Sequence, residues 1–186
     1  NSLNALKRTI EYIHEKGCLA LLDAKRNDIG STSDAYAFSI FENYDADAVT
    51  ANAYFGIDGI KPFLKYIPRG KGVIILLKTS NPSSGEFQDL FSLKLEDVPP
   101  TQSEIDINSI ENEANRVLLK RNFIRMTELV KTWSIDVDLM GCASKGELFG
   151  SEGYTSIGGV VGATYPEQLS QIRKIIPKSF ILIPGY

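Results

Sequence analysis

The sequence predicts an α/β fold on a parallel sheet, closed as a (β/α)8 barrel in preference to an open doubly wound sheet, and three observations carry that prediction. Short apolar runs alternate with amphipathic stretches along the chain, the pattern of βα units joined by right-handed crossovers. The run GVIILLKT at 72–79 is apolar on both faces, as a parallel strand covered on both sides is. Four predicted strand ends carry polar residues or tight turns: Asp23 with Lys25, residues 79–81, residues 162–164 and residues 184–186. Convergence of residues from the C-terminal ends of different strands is how a barrel builds a site.

Leu3, Leu6, Ile10 and Ile13 recur at helical spacing and predict a helix over 2–16, stopped by Gly17 at its C-cap. A strand over 18–25 follows. Gly30, Ser31 and Thr32 then supply a turn, with Ser31 or Thr32 capping a helix that begins near Asp34 and runs to 44. The alternation continues with a strand over 48–54, a helix over 57–66 and the apolar strand 72–79. NPSSG and VPP mark an irregular stretch from 80 to 101, in which 87–95 is either a short helix or part of a long excursion. Residues 110–133 predict a helix with Ala114, Val117, Leu118, Phe123, Leu129 and Val130 on its apolar face. Residues 135–156 are ambiguous, with a strand there disfavoured; a strand over 157–164, a helix over 166–176 opened by Pro166 and a strand over 180–184 complete the chain.

With 186 residues, 43% of them apolar, the chain suffices for one domain with its own core, and residues 1–186 read as a single domain undivided by repeat or linker. It carries no signal peptide, no lipidation motif and no run of 18 apolar residues, so a cytoplasmic protein without a membrane partner is expected. Cys18 and Cys142 are too few and too far apart for a disulfide framework or a zinc site, and read as reduced thiols. A net charge of −3 argues against a nucleic-acid surface. Both ends look cut, since the chain enters a helical pattern at once and stops just after a strand.

The stretch LALLDAKRNDIGST holds the densest chemistry. Asp23 and Lys25, two apart, share one face of a strand, about 6–7 Å apart at Cα, and Asp28 follows beyond the strand. Plainer readings compete: a surface ion-pair cluster for these three, a turn for 79–81 before Pro82, and core strand plus turn for VVGAT. His14, the sole histidine, is expected at the surface; Lys120, Arg121 and Arg125 read as a solvated face, and Met126 and Trp133 as packing.

Asp23, Lys25, Asp28, Ile29 and Thr32 stand as D-x-K-x-x-D-I-x-x-T. Together with ALKRTIEYIHEKG before the motif and DAVTANAYFGIDGIKPFL, LLKTSNPSS, VVGATYPEQL and FILIPGY after it, in that order, the chain resembles the orotidine 5'-monophosphate decarboxylase family over nearly its whole length. The resemblance implies a (β/α)8 barrel that forms homodimers with shared active sites and converts orotidine monophosphate to uridine monophosphate and carbon dioxide, with no cofactor and no metal. It implies that Lys25 protonates C6 of the pyrimidine, that Asp23 stands near the substrate carboxylate, and that Asp28 crosses the dimer interface to the neighbouring site. Thr32 then reaches across towards the ribose and Ile29 lines the same crossing; Thr79 and Ser80 read the pyrimidine, and Pro184 opens the loop above it.

On the same resemblance the family's first two strands, with a ribose-binding aspartate and a second lysine, precede residue 1, and its last strand, glycine-rich phosphate loop and arginine follow residue 186. The chain would then hold five of eight strands and be inactive by itself. A fusion to an orotate phosphoribosyltransferase is compatible with this, and the stretches 86–106 and 136–154 exceed what the minimal family needs. The shorter D-x-K-x-x-D is shared with magnesium-dependent phosphosugar decarboxylases and aldolases, which form one alternative. A non-catalytic nucleotide-binding barrel forms the other.

Overall fold

The computed structural model describes residues 2–94, 119–136 and 152–185. Its first helix, α1 (Ser2–Glu15), ends as predicted at Gly17, whose φ of +69° suits a residue without Cβ. The Gly17 N–H donates to the His14 carbonyl and the Cys18 N–H to that of Ile13, the paired bonds of a Schellman end. Strand β1 (Leu21–Arg26) follows, then α2 (Gly30–Phe38), which passes into a π turn at Ser39–Asn43. Next come β2 (Ala48–Ala51), α3 (Ile57–Leu64) and β3 (Gly72–Lys78). The described part of the irregular stretch, residues 80–94, holds a single turn of helix, α4 (Gly85–Gln88), and β4 (Phe91–Ser92), which pairs antiparallel with β5 (Lys120–Arg121). Then follow α5 (Asn122–Trp133), β6 (Thr155–Val161), α6 (Pro166–Ile175) and β7 (Ser179–Leu182).

β1, β2, β3, β6 and β7 form one five-stranded parallel sheet in that order. Each strand is added beside the one before it, with no reversal. A doubly wound sheet must turn back at a switch point, so this order is that of a barrel wall. Alternation divides its two faces. Val49, Val73, Ile75, Leu77, Ile157 and Val161 pack outward into a core with Ile10, Phe41, Phe63, Phe123, Val130 and Ile172. The other face lines a trough of about 350 Å3 edged by Leu21, Ala48, Ile74, Ser156, Phe180 and Leu182.

Several expectations need correction. The helix placed over 34–44 begins at Gly30, and neither Ser31 nor Thr32 caps it: Ile29 is its N-cap residue with no side-chain cap bond, and the Ser33 hydroxyl reaches back to the Asp28 carbonyl at 2.9 Å. Of the helix placed over 110–133, residues 110–118 lie outside the described residues; the described helix begins at Asn122, whose amide and side chain bond to the Leu90 and Phe87 carbonyls, and Lys120 and Arg121 before it form an extended ribbon. Leu129 on that helix is exposed rather than packed; the expected solvated face carries ion pairs at the surface, Lys120 with Glu128 and the exposed Arg121 with Asp89. His14 is not a free surface residue: its Nε2 lies 2.8 Å from Asp47 Oδ2, which also accepts the Ala20 N–H at 2.7 Å, so one carboxylate ties α1 to the entry of β1. The expectations for Ala114, Val117, Leu118 and Cys142 lie outside the described residues.

The interior face leaves no room at Gly158. A methyl there would lie 2.4 Å from the Phe180 carbonyl oxygen, a backbone atom, whereas one at Gly159 would meet side chains, Cδ1 and Cγ of the buried Leu77 at 2.3 and 3.0 Å and Ile176 Cδ1 at 3.8 Å. Gly158→Ala should therefore destabilise the protein by about 1–3 kcal/mol, read as a lower urea midpoint at unchanged slope, and Gly159→Ala by less because its clash is with side chains rather than with backbone.

Candidate active site

β1 bears the centre of the site. Lys25 Nζ donates to Asp23 Oδ2 at 2.5 Å, so the two residues placed on one face do meet. They are held by more than strand alternation. Lys25 has a φ of +46°, in the left-handed region that side chains avoid, a conformation that costs about 1–3 kcal/mol and persists where surroundings enforce it. The pairing of β1 with β2 breaks register between Leu22 and Arg26. In that gap the Lys25 N–H donates to Thr50 Oγ1 of β2 at 3.0 Å, and the Thr50 hydroxyl donates to Asp23 Oδ1 at 2.7 Å. The Lys25 ammonium first, and then the Thr50 hydroxyl, hold the Asp23 carboxyl below its ordinary value of 3.8.

Asp28 stands apart from this pair. Its Oδ1 accepts the Ile29 N–H at 2.8 Å, and among the described residues no ion pair joins it to Lys25. The loop that carries it lies hard against α3, where a Cβ at Gly59 would come within 3.0 Å of the Asp28 carbonyl oxygen. Ile29 is 63% exposed. Thr32, half-buried in the first turn of α2, has no side-chain hydrogen bond among the described residues. Ile29, Gly30 and Asp34 face Phe55, Asp58, Lys61 and Lys65 across an open groove of about 610 Å3 between α2 and α3.

The ends of β3, β6 and β7 meet in a second cluster. The Gly162 N–H donates to the Lys78 carbonyl at 2.7 Å and the Ala163 N–H to that of Pro184 at 2.9 Å. A Cβ at Gly162 would fall 2.8 Å from Ser80 Cα, so this glycine admits a neighbouring backbone. Thr79 and Ser80 are thereby separated in role. The Thr79 hydroxyl donates to Asn81 Oδ1 at 2.6 Å and accepts from Gln88 Nε2 at 2.8 Å, which commits its proton to the loop. Ser80, between Gly162 and Gly185, keeps a free hydroxyl among the described residues. Pro184 precedes Gly185, whose φ of +80° turns the chain over that rim.

Lys78, in the outwardly apolar strand β3, is fully buried. Its ammonium donates to Asp89 Oδ2 at 2.9 Å and Ser84 Oγ at 3.0 Å and lies 4.3 Å from the centre of the Tyr165 ring. It thus draws the loop after β3 and the loop after β6 to one point. Sequence reasoning missed Lys78, Gln88, Asp89 and Thr50. Two signals were available: a lysine ending an apolar strand, and a hydroxyl at an inward position of AVTA. The rim therefore offers an ammonium beside an ionised carboxylate and, farther along, a free hydroxyl under a turning loop. Such a rim can donate a proton to a developing carbanion and read a polar ring. Among the described residues no three His, Cys, Asp or Glu side chains gather as a metal-binding set, and no helix is long and apolar enough to cross a membrane.

A family model described as orotidine 5'-phosphate decarboxylase / HUMPS family matches residues 3–139. The chain is 36% identical over 186 residues to a Clostridium novyi protein named orotidine 5'-phosphate decarboxylase, covering 99% of this chain and 53% of that protein. Among solved structures it matches the Leishmania donovani OMP decarboxylase with a TM-score of 0.69 and 29% identity over 98% of this chain and 55% of that one. It matches the Leishmania donovani UMP synthase with the same TM-score and identity, covering 98% of this chain and 31% of that one. The chain spans about half the length of the curated relatives it matches.

Two measurements probe the site without substrate. Asp23, followed by carboxyl NMR, should titrate below 3.8, and its midpoint should rise in Lys25→Met. Because the folded value is the depressed one, the interaction stabilises the fold fully above the unfolded carboxylate range and is lost as pH falls through the folded value. Asp89→Ala strips the buried Lys78 ammonium of its carboxylate and should cost about 3–5 kcal/mol in urea unfolding, more than the paired removal Lys78→Met with Asp89→Ala.

Proposed function

Since the chain belongs to the orotidine 5'-phosphate decarboxylase / HUMPS family, we propose that the whole protein converts orotidine 5'-monophosphate to uridine 5'-monophosphate and carbon dioxide in pyrimidine biosynthesis. The observation that carries this reading is the ammonium of Lys25 locked against the ionised carboxylate of Asp23 at the end of β1. When the bond from C6 to the carboxyl carbon breaks, its electron pair stays on C6 in the ring plane, where the π-system cannot spread it. The Lys25 ammonium stabilises that charge and then gives C6 its proton. Asp23 repels the substrate carboxylate by about 4 kcal/mol at ~4 Å and an effective dielectric near ~20. That is about three orders of magnitude, whereas enzymes supply roughly 8–23 kcal/mol. Preorganised charge and the binding energy of the remote phosphate therefore carry most of the catalysis.

Ser80, with its free hydroxyl, reads the pyrimidine edge, Thr79 holds the loop from which Ser80 projects, and Pro184 opens the segment lying over the ring. Asp28, Ile29 and Thr32 serve the site of a second copy. That reading is supported by the separation of Asp28 from Lys25, by the exposure of Ile29 at 63% and Phe55 at 50%, and by the groove beside them. Residues 1–186 form part of one barrel domain in a cytoplasmic homodimer, and the similarity to a UMP synthase supports fusion to an orotate phosphoribosyltransferase as a variant of the same reading.

The full-length protein should turn over orotidylate, and chelator should leave the rate unchanged, whereas a magnesium-dependent phosphosugar enzyme would lose activity. Lys25→Ala should lower kcat by at least about a thousandfold; unaltered turnover would remove Lys25 from the chemistry, and a parent protein without turnover would leave only a binding role. Full-length Lys25→Ala and Asp28→Ala proteins, each inactive alone, should regain part of the activity on mixing, because one site of each heterodimer then carries neither change. No recovery, with subunit exchange verified, would refute the shared site.

A further inference from the structure

We propose that Thr50 is a positioning residue for this reaction: one buried hydroxyl on β2 fixes both the main chain that carries Lys25 and the carboxylate of Asp23, so that proton donor and carboxylate meet the reacting carbon as a single rigid pair. The proposal rests on the decarboxylase reading of the site.

Thr50 is wholly inaccessible to solvent and belongs to the inward set of β2. A hydroxyl buried there is unfavourable unless its bonding capacity is met, and both of its bonds run to β1. In an unbroken parallel ladder a strand N–H meets a carbonyl of its neighbour. Around Lys25 the ladder is broken between Leu22 and Arg26, and the Lys25 N–H has Thr50 Oγ1 as its acceptor instead. Accepting that bond directs the hydroxyl proton elsewhere, and Asp23 Oδ1 at 2.7 Å receives it. The same atom thereby supports the left-handed backbone of one functional residue and sets the rotation of the other.

Among the described residues nothing else supplies that orientation. The Asp23 and Lys25 side chains are 56% and 51% exposed, so packing does not hold them. The terminal torsion of a carboxylate is soft. Oδ2 is committed to Lys25, and among the described residues Oδ1 has Thr50 as its partner. Among the described residues, Lys25 on its own strand and Thr50 on the neighbouring one are the groups that act on the Asp23 carboxylate.

Thr50→Val keeps the shape and the methyl group and deletes the hydroxyl. In the full-length enzyme it should lower kcat about 10- to 100-fold, the scale of a misplacement near 1 Å, while KM for orotidylate stays within about threefold because the phosphate dominates binding. Thr50→Ser restores the hydroxyl and should return kcat to within about threefold of the parent. The acid limb of kcat/KM should move to higher pH in Thr50→Val and stay in place in Thr50→Ser, since the lost hydrogen bond favours the ionised carboxylate. A parent-like kcat in Thr50→Val, a Thr50→Ser as impaired as Thr50→Val, or an unmoved acid limb would each overturn the proposal. If Thr50→Val does not fold, Thr50→Cys, with its weaker donor, takes its place with an intermediate effect expected. Carboxyl NMR of Asp23 in the same variants needs no turnover: its midpoint should rise in Thr50→Val and Thr50→Cys but not in Thr50→Ser. Should the parent enzyme leave orotidylate untouched, the decarboxylase reading fails, and this titration still decides whether Thr50 orders the pair.

Discussion

The left-handed turn at Lys25 is the constraint on which the rim of this sheet depends. A lysine with a φ of +46° is held against its own preference, and the hold comes from the neighbouring strand through a hydroxyl rather than from the ladder itself. With that bond in place the register of β1 against β2 breaks, Asp23 and Lys25 reach the same point from one strand, and the chain is released into the loop that carries Asp28. Strain stored at one residue thus converts a regular strand end into an ordered pair of opposite charges.

The other half of the rim is organised by a second buried polar group. Lys78 closes an apolar strand with a charge that solvent cannot reach, and its partners come from two different loops. Taken singly, buried ion pairs are weak evidence of stability. Here the geometric consequence matters more: Ser84, Asp89 and Tyr165 are gathered to one ammonium, and Ser80 is left pressed against Gly162 with no partner for its hydroxyl among the described residues. The two clusters differ in solvation: the Asp23 and Lys25 side chains are half-exposed, whereas Lys78 is sealed among the loops it joins.

Reading these features from sequence succeeded where the signal was local. Strand alternation put Asp23 and Lys25 on one face, and a glycine at position 17 ended the first helix as expected. It failed where a distant partner decided the outcome. His14 looked like a surface residue because nothing near it in sequence shows that Asp47 waits across the entry of β1. Lys120 and Arg121 continued a helical pattern, and became a ribbon because Phe91 and Ser92 lay opposite. Thr79 and Ser80 are equivalent as letters; Gln88, nine residues on from Thr79, takes one hydroxyl and leaves the other.

By itself, then, the sequence determined the alternation of strands and helices, the buried parallel character of β3 and the adjacency of the carboxylate and lysine at the end of β1, because hydrophobic period and side-chain spacing act over a few residues. Only the tertiary structure decided that the strands run in unbroken order along a barrel wall, that Asp28 parts from Lys25, and that Thr50 governs the pair. Those outcomes depend on which strand lies beside which and in what register, and a hydrogen bond between residues 25 and 50 exists only once the sheet has brought them together.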